Sequence, residues 1–73
     1  MNEYRIEIWR YHAITDRFSS DNILSIRDWW FDGWYTVWSY GGCTFKIYKN
    51  DRAMSYEELK SLGFYDDPFE EDI

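Results

Sequence analysis

The sequence is poor in the residues that build covalently linked, metal-bound or membrane-embedded structures. It has one cysteine, one histidine and one proline in 73 residues. One cysteine cannot close an internal disulfide, so a disulfide-stapled secreted domain is excluded and the cytoplasm is the expected compartment. No apolar run approaches the roughly 18 residues of a membrane-spanning helix, and no signal-peptide pattern opens the chain. We therefore expect no membrane association.

Residues that carry catalytic chemistry are also scarce. A nucleophilic thiol needs a base and a third group that orients that base, and the only pair available is Cys43 with His12. Zinc sites need about four ligands at characteristic spacings, and neither these nor nucleotide-binding glycine motifs are present. Cys43 is expected to be a small buried apolar residue. The sequence therefore predicts no enzyme, no metal and no cofactor.

Basic residues are few, whereas aromatic residues are abundant. Eight Lys and Arg stand against 14 Asp and Glu, which gives a net charge of -6. This balance disfavours direct binding of nucleic acid through a basic surface. Aromatic residues make up 23% of the chain, a content that argues against disorder. The length allows a single domain.

The acidic residues are distributed unevenly along the chain. Residues 1–65 contain nine acidic and all eight basic residues, so this part is nearly neutral. Residues 66–73 contain five acidic residues and no basic one. We therefore predict one globular domain over residues 1–65 and an acidic tail over residues 66–73, a composition found in tails that solubilise a domain or meet basic partners. The tail's acidic residues are Asp66, Asp67, Glu70, Glu71 and Asp72, and they surround Phe69.

The first half of the chain begins with an alternating pattern. Over residues 3–11, Tyr4, Ile6 and Ile8 alternate with charged residues, and this period of two predicts a half-buried strand. Residues 12–22 have no clear period and are rich in turn formers, so they are interpreted as a connection.

Two dipeptides in the aromatic middle of the chain predict a three-stranded meander. Asp32-Gly33 and Gly41-Gly42 are suited to two-residue hairpin turns, and aromatic runs flank them. An alternative makes Ser20 the N-cap of a helix over residues 21–32, with Gly33 just beyond its end. The sequence leaves strand and helix open for residues 23–28.

The last predicted element is a short helix over residues 56–62. Ser55 and Glu58 have the spacing of a capping box, and Gly63 suits a left-handed helix end. The predicted fold is therefore α+β. It comprises a small antiparallel sheet, made of the N-terminal strand and the meander, packed on one or two short helices.

An aromatic-rich sheet of this size predicts a contact surface. Nine aromatic residues within residues 29–48 project to both faces of the proposed sheet, and one short helix cannot cover both. Trp30, Tyr35 and Tyr48 fall on the second face and are the candidates for an interface, since aromatic residues often anchor binding hot spots.

In size, acidity and lack of catalytic groups the chain resembles phage-encoded host-takeover inhibitors, such as anti-CRISPR proteins and inhibitors of host polymerases. The resemblance implies a stoichiometric inhibitor that mimics nucleic acid and binds a protein with a basic nucleic-acid-binding surface. Asp28, Asp32 and Asp51 would then join the tail acids at the interface. The alternative is a protein–protein adaptor or homodimer that uses the aromatic sheet face, and a small enzyme or ligand carrier is the third hypothesis.

Overall fold

The computed structural model describes residues 2–66, which form one antiparallel sheet and three helices. The elements in chain order are β1 Tyr4–Arg10, β2 Ala13–Ser20, α1 Ile23–Gly33, α2 Tyr35–Ser39, β3 Thr44–Lys49, β4 Arg52–Ala53 and α3 Tyr56–Ser61. The strands lie in the order β2-β1-β3-β4. This arrangement confirms the predicted α+β class. Within residues 2–66, no helix has the length and apolar character needed to cross a membrane.

The N-terminal strand is confirmed, but the interpretation of residues 12–22 as a connection was wrong. Residues 13–20 form β2, which turns back from β1 through Tyr11 and His12 and pairs with it from Tyr4↔Ser20 to Arg10↔Ala13. β2 lies at the edge of the sheet, and most of its side chains are exposed. An exposed edge strand needs no apolar alternation, so its sequence carries no period of two.

The chain between residues 23 and 33 is helical, so the hairpin predicted at Asp32-Gly33 is wrong. The side chain of Asn22, rather than that of Ser20, caps α1 by accepting a hydrogen bond of 2.9 Å from the Leu24 N–H. Ile26 and Trp30 lie one helical turn apart and are both fully buried. A helix directs these side chains to a single core, whereas a strand would have pointed alternate aromatic residues to opposite faces.

Gly41-Gly42 is a helix stop and does not form the predicted hairpin turn. Gly41 has a φ of +79°, and its N–H donates to the Trp38 carbonyl at 2.8 Å. The Gly42 N–H donates to the Val37 carbonyl at 2.9 Å, which completes a Schellman motif at the end of α2. A Cβ on Gly42 would lie 3.0 Å from a methyl carbon of Val37. Gly41 is therefore required for its positive φ, and Gly42 is required because a Cβ would collide with Val37.

The predicted C-terminal helix is confirmed, together with its cap. Ser55 accepts from the Glu58 N–H at 3.2 Å, and the Glu58 carboxylate accepts from the Ser55 N–H at 3.3 Å. Gly63 takes a φ of +86° beyond the end of α3. The Phe64 N–H donates to the Leu59 carbonyl at 3.1 Å, and both side chains are buried in the core.

Trp30 lies at the centre of the core. Its side chain is fully buried, its ring centroid lies 4.2 Å from that of Phe45, and its indole N–H donates to the Phe64 carbonyl at 3.1 Å. Tyr35 and Trp38 meet the same indole edge to face. Each such ring pair contributes about 0.5–1.5 kcal/mol beyond its area burial. The core is therefore formed between one face of the sheet and α1, α2 and α3.

Candidate binding surface

The strand register separates the sheet into a core face and an open face. Residues paired directly across antiparallel strands point to the same side. Ile6 pairs with Phe18 and Ile47, and these side chains belong to the core face, which the helices cover. The alternate residues point away from the helices. They are Arg5, Glu7 and Trp9 on β1, Ile14, Arg17 and Ser19 on β2, Thr44, Lys46 and Tyr48 on β3, and Ala53 on β4. We call this set the open face.

Two aromatic side chains of the open face carry a cation above the ring. The Arg5 guanidinium lies 4.6 Å from the Tyr48 ring centroid, and the Lys46 ammonium lies 4.6 Å from that of Trp9. Both rings are partly exposed and lie outside the packed core. Such contacts contribute about 0.5–1 kcal/mol each at exposed sites. They hold two aromatic anchors on neighbouring strands.

Glu7 lies at the centre of the open face and links both aromatic anchors. Only 9% of the residue is exposed, and its carboxylate accepts hydrogen bonds of 3.2 Å from Arg5 Nε and from Trp9 Nε1. Arg5 also donates to Asp51 at 2.9 Å, and this hydrogen bond is the main reason why the pKa of its guanidinium is raised. Glu7 therefore connects Arg5 and Trp9 through its carboxylate.

Charges of opposite sign alternate across the middle of the open face. Arg17 on β2 and Lys46 on β3 are the direct cross-strand neighbours of Glu7. Opposite charges at such positions contribute roughly 0.2–1 kcal/mol per pair. With Arg5, the open face has three cations and one carboxylate, in a chain whose net charge is -6. The charge of this face is thus opposite in sign to that of the whole chain.

The three aromatic residues predicted to form an interface lie in two different parts of the structure. Trp30 is fully buried and Tyr35 is 8% exposed, so their predicted position on an uncovered sheet face is wrong. Both belong to the helical layer, where their rings contact each other. Tyr48 does lie on an uncovered sheet face, as predicted, although that face is built from β1–β4 and not from a meander.

The predicted acidic residues do not form one surface in residues 2–66. Asp28 and Asp32 are exposed and lie one turn apart on α1, on the helical side of the molecule. Asp51 lies between β3 and β4 and bonds to Arg5 of the open face. Asp66 is exposed beyond α3, next to Gly63. The remaining predicted contact residues, Asp67, Phe69, Glu70, Glu71 and Asp72, lie outside the described residues.

The groups considered for chemistry lie in different environments. Cys43 is buried, as predicted, and its burial raises the pKa of the thiol although Arg10 partly offsets that effect. His12 is exposed in the turn between β1 and β2. Within the described part of the chain, neither side chain has a hydrogen-bonded partner, and no group of three His, Cys, Asp or Glu could hold a metal ion. A buried protonated thiol is a poor nucleophile.

Four residues of the open face were not predicted as binding residues, namely Arg5, Trp9, Arg17 and Lys46. The signal for Trp9 was available, since it falls on the charged side of the β1 alternation with Arg5 and Glu7. Arg17 and Lys46 could not be placed beside Glu7 without the pairing of β1 with both β2 and β3. This pairing joins residues that lie far apart in the sequence.

Comparisons with protein-family models, with curated proteins and with solved structures find no significant match to this chain.

Proposed function

We propose that the chain is a non-enzymatic binding protein that engages a protein partner through the open face. The observation that carries this proposal is the pair of aromatic side chains, Trp9 and Tyr48, each with a cation above its ring on a sheet face that the helices leave uncovered. Tryptophan, tyrosine and arginine are the residue types most enriched in binding hot spots. Because Glu7 and Asp51 already hold Arg5, little side-chain freedom is lost on binding.

Site-specific photo-crosslinking in the source cells tests this proposal. A benzoyl-phenylalanine introduced at Ser19, which is exposed on the open face beside Arg5, should give a crosslinked species of discrete mass. The matched control places the same group at Leu24, which is 53% exposed on α1. Crosslinks at Leu24 alone, or at neither position, would contradict the proposal. Mass spectrometry of the crosslinked species identifies the partner, including a second copy of the chain.

A second candidate function is a stoichiometric inhibitor that mimics nucleic acid, as the resemblance to host-takeover inhibitors implies. Asp28 and Asp32 support it, because they are exposed one turn apart on α1 and form no ion pair within residues 2–66. Carboxylates in such a row can face lysine and arginine side chains of a nucleic-acid-binding channel.

Substitutions at the two surfaces separate the two candidate functions once the partner is identified. For the mimic, affinity should fall steeply between 50 and 300 mM salt, and both Asp28→Asn/Asp32→Asn and truncation after Tyr65 should weaken binding. For the open-face binder, Trp9→Ala should weaken binding more than either change. Full affinity after truncation and after the double substitution would contradict the mimic.

A further inference from the structure

Two cations of the open face form no ion pair with the residues that the structure describes. Arg5 is engaged by Glu7 and Asp51, at 3.2 and 2.9 Å. Arg17 and Lys46 form no ion pair within residues 2–66, although both lie beside Glu7. A single, nearly buried carboxylate thus lies between two exposed cations. These two cations remain available to a ligand of negative charge.

The cations above the rings decide which kind of anion fits. Single-stranded nucleic acid binds sheet surfaces by stacking bases on open aromatic faces. Here Arg5 and Lys46 already occupy one face of Tyr48 and of Trp9, each at 4.6 Å. A ligand therefore meets charged donors above these rings, and carboxylates match such donors without any stacking. The net charge of -6 also repels a long polyanion more than a short acidic peptide.

Arg17, Glu7 and Lys46 form a charged row across the open face, and an apolar pair lies next to this row. Ile14 is 41% exposed and is the direct cross-strand neighbour of Trp9. On β1, Trp9 lies two residues from Glu7, a distance of roughly 7 Å. On β2, a register shift leaves Ile14 three positions from Arg17. In an extended peptide, side chains two residues apart span about the same distance as Trp9 and Glu7. A ligand with an apolar residue two positions from an acidic one would match both rows.

We propose that the open face binds an extended acidic segment of a partner protein, with a carboxylate at Arg17 and Lys46 and an apolar side chain at Trp9 and Ile14. This assignment rests on the proposed open-face function and names the chemistry of its ligand.

Fluorescence anisotropy with synthetic peptides tests the assignment. The probe is a labelled ten-residue peptide with one leucine followed two positions later by glutamate. Its matched control carries glutamine in place of that glutamate. The full chain should bind the glutamate peptide at least tenfold more tightly than the glutamine peptide, and the affinity should fall as salt rises from 50 to 300 mM.

Charge-matched variants locate the binding surface. Arg17→Gln/Lys46→Gln should weaken binding about tenfold, which corresponds to about 1.4 kcal/mol. Lys49→Gln/Lys60→Gln removes the same charge from exposed residues outside the open face and should change affinity less than twofold. All four side chains are exposed, so circular dichroism should show an intact fold for both variants. Equal losses in the two variants would overturn the assignment, because they would indicate a non-specific charge effect.

Three further outcomes would overturn the assignment. One is tighter binding of a labelled ten-nucleotide thymidine strand than of the glutamate peptide, which would identify nucleic acid as the ligand. Another is self-association that Arg17→Gln/Lys46→Gln abolishes in sedimentation, which would identify a second copy of the chain. The third is no binding of the glutamate peptide. If crosslinks at Ser19 persist in that case, the open face still contacts a partner, and only the acidic ligand is wrong.

Discussion

The two faces of the sheet use tryptophan in opposite ways. Against the core face, Trp30 of α1 is fully buried, contacts several other rings and donates its indole N–H to a backbone carbonyl. On the open face Trp9 is partly exposed, lies under an ammonium group and donates its indole N–H to a carboxylate. The same residue type thus stabilises the core in one place and presents a contact surface in the other. Aromatic content alone does not distinguish these roles, because tryptophan tolerates either environment.

The sharpest test of this difference replaces one tryptophan on each face. Trp30→Ala should lower the free energy of unfolding by about 3–5 kcal/mol, because it opens a large cavity and leaves the Phe64 carbonyl without its donor. Trp9→Ala should lower it by about 1 kcal/mol, since it removes one cation contact and one hydrogen bond. Urea unfolding followed by circular dichroism measures both values.

A domain of this size is expected to be only a few kcal/mol stable, so Trp30→Ala could unfold it entirely. Trp30→Phe and Trp9→Phe then provide the milder comparison, because both retain an aromatic ring. Equal losses at the two positions would show that the distinction between the core face and the open face is wrong.

Glycine substitutions test where the helices α1 and α2 end. Gly41→Ala should cost about 1 kcal/mol, because an alanine at a φ of +79° is strained at the end of α2. Gly33→Ala should stabilise the fold by about 0.5 kcal/mol, since Gly33 lies in α1 and a Cβ there meets no atom within 4 Å. Thermal unfolding of both variants measures the difference. A destabilising Gly33→Ala would instead favour the hairpin that the structure excludes.

The smallest expected effect concerns the titratable groups of the helical side at high pH. Burial raises the pKa of the Cys43 thiol and of the Tyr65 hydroxyl above their ordinary values of 9.0 and 10.0. The unfolded chain then loses these protons at a lower pH than the folded chain, so stability should fall as pH rises above about 9. Cys43→Ala and Tyr65→Phe should each flatten this fall in urea unfolding between pH 8 and 11. If the free energy of unfolding falls with pH as steeply in both variants as in the unchanged protein, the assigned burial of Cys43 and Tyr65 is wrong.

Local signals were sufficient for some elements and not for others. The capping box of Ser55 and Glu58 and the left-handed Gly63 predicted α3, because a cap is satisfied within a few residues. The alternation of β1 predicted that strand for the same reason. Gly41-Gly42 was predicted to form a hairpin turn, whereas it ends a helix. The local sequence does not separate the two, because a glycine with positive φ suits both.

The helix α1 was one of two open alternatives, and the choice depended on packing that the sequence does not contain. Asp32-Gly33 matches a hairpin turn, but residues 23–33 bury Ile26 and Trp30 together only when they are helical. Similarly, β2 exists because β1 offers it an antiparallel partner over seven residues. Tertiary context overrode the local propensity in both places.

The sequence by itself determined the α+β class, the capped C-terminal helix, the buried thiol and the concentration of acidic residues after residue 65. These features follow from composition or from signals that span a few residues. Only the tertiary structure decided which aromatic residues form the core and which lie on the open face. The strand order β2-β1-β3-β4 brings Arg17, Glu7 and Lys46 side by side, and no local pattern encodes a pairing between segments so distant in the chain.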